Sequence, residues 1–98
     1  MAGLDLVFHP AAIREARAAR LWYAHHSPSA ALAFVAELDR AIESIRQAPE
    51  RWPSYHQGNR RFLMHRFPYM LIYRQRSSAI EVIAVSHGRR RPGYWRRR

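Results

Sequence analysis

Apolar residues change their period twice along this chain. From Leu4 to Phe8 the run Leu-Asp-Leu-Val-Phe alternates as a short half-buried strand does. His9-Pro10 follows, and proline suits a first helical position because its missing N–H would be unpaired there anyway. Ala12, Ala16, Ala19 and Tyr23 then recur at helical spacing beside Arg14, Arg17 and Arg20, which predicts a helix over about 10–25. His25-His26-Ser27-Pro28 ends it, with Ser27 as N-cap and Pro28 as the opening of a second helix. There Ala31, Val35, Leu38, Ile42 and Ile45 form the apolar stripe, while Glu37, Arg40, Glu43 and Arg46 step along the opposite side. Ala48-Pro49 stops this helix, because a residue before proline is pushed out of the helical region.

A loop from Pro49 to Asn59 comes next, in which Trp52 is expected to plug an edge of the core. After it the period becomes that of strands. Arg61, Leu63 and His65 alternate with Phe62, Met64 and Arg66. Tyr69 to Tyr73 is nearly all apolar, as in a central strand, and Ser77-Ser78 marks a hairpin turn before Ile80 to Val85 returns. These elements predict an α+β fold in which a helical hairpin packs on one face of a small antiparallel sheet, in the order β-α-α-β-β-β. A chain of 98 residues makes one domain with a small core.

Composition adds little until charge is divided by position. No apolar run reaches the ~20 residues of a membrane span, no signal-peptide pattern opens the chain, and cysteine is absent, so a cytoplasmic setting without a membrane partner is expected. All 17 basic side chains are arginine. Residues 1–50 hold five arginines and six acids, a net of 5 − 6 = −1; residues 51–98 hold twelve arginines and Glu81 alone, 12 − 1 = +11. Guanidinium groups match phosphate and carboxylate, so the strand half implies a polyanionic partner: nucleic acid, a ribosome or an acidic protein. The final Arg89 to Arg98 run, broken by Pro92-Gly93, is expected to stay loose until a partner arrives.

The chemical candidates are few. Six histidines show no metal-ligand spacing, and no serine has a nucleophile's context, so neither a metal nor another cofactor is expected. Glu81 reads as a solvated strand residue. Arg61, Arg66, Arg74, His87, Arg90 and Tyr94 can form a set for cleaving RNA through its own 2′-hydroxyl, with cations on the phosphate and histidine moving protons. The same residues also make a basic surface that binds without chemistry, which is the reading composition alone favours.

Arg60-Arg61, Phe67-Pro68-Tyr69, Ile72-Tyr73-Arg74 and the run Val82 to Arg90, with His9-Pro10-Ala11 and Ala48 to Trp52, resemble the RelE/ParE superfamily of bacterial type II toxins over nearly the whole chain. The resemblance implies two helices on one face of an antiparallel sheet and a cognate antitoxin that wraps the toxin with an extended or helical segment. Modules of this kind inhibit growth and stabilise plasmids. RelE-like members cut messenger RNA on the ribosome; their basic residues look like Arg61 and Arg90 here, and Tyr94 stands near their C-terminal tyrosine. Their third-strand arginine, however, falls on Met70. ParE-like members, which poison DNA gyrase, are similar to this chain in having an apolar residue there, then a pair like Tyr73-Arg74, then a last strand ending in a histidine, like His87, before basic residues. The resemblance therefore favours a non-nucleolytic toxin, with Arg60, Arg61, Arg66, Arg74, Arg89, Arg90, Arg91 and Trp95 as the target- or antitoxin-binding set.

Overall fold

His9 and Ser27 fix the two helices. In the computed structural model, which describes residues 4–98, the His9 Nδ1 accepts from the Ala11 N–H at 3.0 Å and the Ser27 Oγ from the Ala30 N–H at 3.3 Å. Each side chain thus satisfies a donor that the first helical turn leaves unpaired. The elements are β1 (Asp5–Phe8), α1 (Pro10–His26), α2 (Pro28–Gln47), β2 (Arg60–Leu63), β3 (Tyr69–Arg76) and β4 (Ala79–His87), in the expected α+β order. Among the described residues no helix is long and apolar enough to cross a membrane.

The sheet runs β1-β4-β3-β2. β2, β3 and β4 form antiparallel hairpins as the turn signals require, but β1 lies parallel to β4, with Asp5 opposite Ala79 and Phe8 opposite Val82. The sheet is therefore mixed. A parallel pair needs a long crossover, and the chain from α1 through β3 supplies one. The His9 N–H closes this ladder on the Val82 carbonyl at 2.9 Å.

Both faces of the sheet are covered. On one, Leu71, Tyr73, Ile80, Val82 and Val85 pack with Ala12, Ala19, Phe34, Ala41 and Ile45 of the helices. On the other, Ile72, Ile83 and Ala84 are buried with Trp95, and Tyr55, Met70 and Tyr94 pack around them. A register shift makes this second cluster possible. Ile72 faces Ala84 and Tyr73 faces Val82, so Ile83 is an extra residue and can point to the same side as Ala84. Trp52, as expected, packs at the margin of the helix-side core, its ring 4.6 Å from that of Phe62.

One helix residue departs from its expected face. Glu37, expected on the outer side of α2 with Arg40, Glu43 and Arg46, is buried, at 5 % exposure. Its carboxylate accepts from the backbone N–H groups of His65 and Arg66, the latter at 3.1 Å. β2 ends at Leu63, and these two donors in the following turn have no strand partner; Glu37 supplies one. The same carboxylate–turn contact lets Phe67 fold back against Phe34, with ring centres 5.3 Å apart. Glu37→Ala is expected to lower stability by about 1–3 kcal/mol, since the turn loses its hydrogen bonds to a buried, charged acceptor. Glu43→Ala, whose partners Arg46 and Gln47 are on the same exposed helix face, is expected to change it by less than about 0.5 kcal/mol. Urea denaturation of the two variants checks the contrast; equal losses contradict it.

Candidate functional site

The run expected to be loose is instead a packed cover for the second sheet face. Trp95 is 1 % exposed, so it cannot be the surface contact residue that the sequence suggested. Its ring lies 5.2 Å from Tyr94 and 5.7 Å from Tyr55. Tyr55 is aimed inward by a tight loop in which His56 and Gln57 take positive φ and the Tyr55 N–H donates to the Asn59 carbonyl at 2.7 Å. Guanidinium groups cap both ends of the aromatic row: Arg61 at 4.6 Å from the Tyr55 ring, Arg90 at 3.7 Å and Arg98 at 5.0 Å from that of Tyr94. Such stacking neutralises none of the charge but fixes where each cation sits.

Glu15 of α1 anchors the cover. Its carboxylate accepts from the Tyr94 hydroxyl at 2.7 Å and from both terminal nitrogens of Arg98 at 2.8 and 2.9 Å. It also accepts from the Val85 N–H at 2.9 Å, while Arg98 donates to the Ile83 carbonyl at 3.0 Å. β1 stops opposite Val82, so this side-chain pair takes over the edge of β4 where the strand ends. Burial, the strongest single influence on Glu15, opposes its ionisation. Hydrogen bonds from Arg98, Tyr94 and the Val85 N–H together outweigh it and hold the carboxyl below the ordinary range. Burial and then the Glu15 bond push the Tyr94 phenol up, so it is a donor and not a base. The Glu15 bond raises Arg98 further.

The other arginines divide by what they touch. Arg60 donates to the Trp52 carbonyl at 2.6 Å, and Arg74 pairs with Glu81 at 2.8 Å and reaches the Arg98 carbonyl. Glu81 is accordingly an ion-pair partner and not a solvated strand residue. Arg66 is exposed on the turn after β2 and lines a cleft with Glu37 and Arg40. Arg89 and Arg91 are exposed. Of the residues proposed for RNA cleavage, Arg90 and Tyr94 do meet, with Arg90 also 3.4 Å from Glu15. His87 ends β4 with its ring against Tyr69 at 5.0 Å, its Nδ1 accepting from the Arg89 N–H at 3.0 Å. Arg61 stands apart from them, across the row of aromatic rings. Met70 packs against the Ile72–Trp95 cluster, and its thioether offers no donor to a phosphate.

Between α1 and the ends of β3 and β4 lies a mostly apolar cleft of about 480 Å³, lined by Trp22, Tyr23, Pro68, Tyr69, His87 and Arg90 among others. Sequence reasoning missed Glu15 and Arg98. One signal existed for Glu15: it sits three residues after Ala12 and four before Ala19, on the margin of the buried stripe. Among the described residues no three acidic or histidine side chains gather as a metal site requires.

Two helices on a four-stranded mixed sheet, with a basic C-terminal cover, make this an α+β protein. Residues 6–92 match the model of the ParE toxin of the type II toxin–antitoxin system parDE, and the chain belongs to that family. Among solved structures, the fold is similar to a chain of the chromosomal ParDE TA system from P. aeruginosa, with a TM-score of 0.76 and 19 % identity, covering 86 % of this chain and 95 % of that one. No curated protein sequence matches at a significant level.

Because the folded Glu15 value lies below the unfolded one, its stabilisation is complete above the unfolded value and is lost as pH falls through the folded one. Glu15→Gln is expected to cost about 1–3 kcal/mol at neutral pH. That difference should shrink on acidification below about pH 5, as the wild-type carboxyl takes up its proton. Urea midpoints of both proteins across pH test this; parallel curves contradict it.

Proposed function

We propose that this chain is a single-domain, cytoplasmic toxin that arrests growth by binding DNA gyrase without cutting nucleic acid, and that a cognate antitoxin neutralises it. The observation that carries this reading is Met70. An RNA-cleaving relative needs a guanidinium directly after the tyrosine that opens the third strand, and here that position belongs to the apolar cluster under Trp95. Three of the other candidates for catalysis, Arg61, Arg90 and Tyr94, support the same view. Arg61 is held over Tyr55, Arg90 and Tyr94 are engaged by Glu15, and the phenol is biased towards its protonated form. A general base must be free to accept a proton at the reacting group.

The antitoxin's surface is read from what the helices leave bare. Ile13, Leu21 and Trp22 of α1 are 45 %, 46 % and 57 % exposed, and Trp22 lines the apolar cleft that continues to Tyr69 and His87. Exposed apolar rows beside a cleft are characteristic of surfaces that a partner covers. Burying the exposed half of Trp22 and of Leu21 would contribute about 1.5–3 kcal/mol in all to such a complex, since full burial of a large side chain is worth about 1.5–3 kcal/mol.

Expression of the chain alone in a bacterial host is expected to arrest growth and induce the DNA-damage response, with the neighbouring gene restoring growth. The purified chain is expected to inhibit supercoiling by gyrase, and the 5′ ends of messages should stay unchanged after induction. Ribosome-dependent cleavage that Arg90→Ala abolishes in a folded protein would overturn the reading in favour of an endoribonuclease. Normal growth with folded protein present would leave a basic binding module without toxicity.

A further inference from the structure

Three arginines of the C-terminal cover are unused by the contacts described so far. Arg91, Arg96 and Arg97 are exposed, and none is within 4.0 Å of a carboxylate among the described residues, whereas Arg74, Arg90 and Arg98 all are. Together with Pro92, Gly93 and Tyr94 they line an open cleft of about 520 Å³ on one turn. The turn is held, not loose. Trp95 is sunk in the sheet between them, and Arg98 is clamped to Glu15 by two bonds of 2.8 and 2.9 Å. Gly93 takes φ +87°, and its carbonyl accepts both the Arg96 N–H at 3.0 Å and the Arg96 Nε at 3.2 Å. A Cβ on Gly93 would stand 3.2 Å from that Nε, so glycine both permits the turn and leaves room for the guanidinium.

We propose that this turn is a cradle for the phosphate backbone of duplex DNA, with Arg91, Arg96 and Arg97 as its contacts. Guanidinium forks suit phosphate oxygens, and a duplex offers a phosphate about every 1.7 Å of its axis, so several fall within the reach of one such turn. Backbone is favoured over unpaired bases because single-strand binders offer free aromatic faces for stacking. Here Trp95 is buried, Tyr94 is covered by Arg90 and Arg98, and Tyr55 by Arg61. The contact is therefore with phosphates, without sequence preference. The inference deepens the gyrase reading, since that enzyme works on duplex DNA, but the site stands on its own residues.

The test uses the purified full chain and a short labelled duplex, with no gyrase present, so its result is independent of what the toxin's target proves to be. Wild-type protein is expected to bind, with affinity falling steeply as salt rises. The triple variant Arg91→Gln/Arg96→Gln/Arg97→Gln should lose at least about tenfold in affinity, with a salt slope shallower by roughly 2–3. Arg14→Gln/Arg17→Gln/Arg20→Gln removes the same charge from the exposed face of α1 and should change affinity by less than about threefold, because screening limits the effect of distant charge. Replacing the three cradle arginines by lysine should restore most of the loss. Circular dichroism of each variant checks folding; the three side chains are exposed, and Arg96→Gln removes one turn bond, to the Gly93 carbonyl, but no core packing. No wild-type binding, equal losses from the two glutamine triples, failure of lysine to restore, or preference for single-stranded DNA or RNA would each overturn the proposal.

Discussion

A single carboxylate on the first helix holds the second face of this sheet together. Glu15 receives donors from Val85 in the sheet and from Tyr94 and Arg98 in the cover. These groups meet because β1 is only four residues long and leaves β4 without a neighbour beyond Val82. An unpaired strand edge beside an apolar face is a standing invitation to wrong partners. The Glu15–Arg98 pair closes that edge with side chains, and in doing so brings the chain's last turn across Ile72, Ile83 and Ala84. A buried ion pair is costly to desolvate and contributes little by itself; here it is repaid by the backbone groups it satisfies and by the burial of Trp95.

That arrangement changes the meaning of the positive charge. Segregation of twelve arginines into the second half of the sequence suggests one uniform cationic wall. The folded chain has two populations instead. Arg51, Arg60, Arg61, Arg74, Arg76, Arg90 and Arg98 engage carbonyls, rings or carboxylates, and most of them hold the cover and the loop in place. Arg66, Arg89, Arg91, Arg96 and Arg97 remain in solvent. Arginine serves both ends because its planar, permanently charged head can stack on an aromatic ring as readily as it can grip an anion. Lysine in the first population would lose the stacking.

A toxin built this way presents two surfaces of different chemistry. The apolar row on α1 and its adjoining cleft suit a partner that buries hydrocarbon. The exposed C-terminal turn suits a polyanion. Their separation follows from the topology: α1 packs on the helix-side face and reaches the edge at β4, while the cover crosses the opposite face. Glu15 is the place where the two meet, touching the cleft and the cover at once.

The local sequence settled whatever depends on neighbours along the chain. Helix limits, the Ser27 cap, the Ser77-Ser78 turn and the order of elements follow from periodicity, capping chemistry and proline, all of which act over a few residues. It also disclosed the family, through motifs spread over nearly its whole length. It did not disclose that β1 runs parallel to β4, that Glu37 turns inward, or that Trp95 is buried. Each of those rests on partners far away in sequence: 28 residues separate Glu37 from His65, and 83 separate Glu15 from Arg98. A glutamate on the margin of a helix stripe reads the same whether it faces water or a distant backbone N–H. Only the closed fold, which brings those donors within reach and removes the water that would otherwise satisfy them, decides between the two.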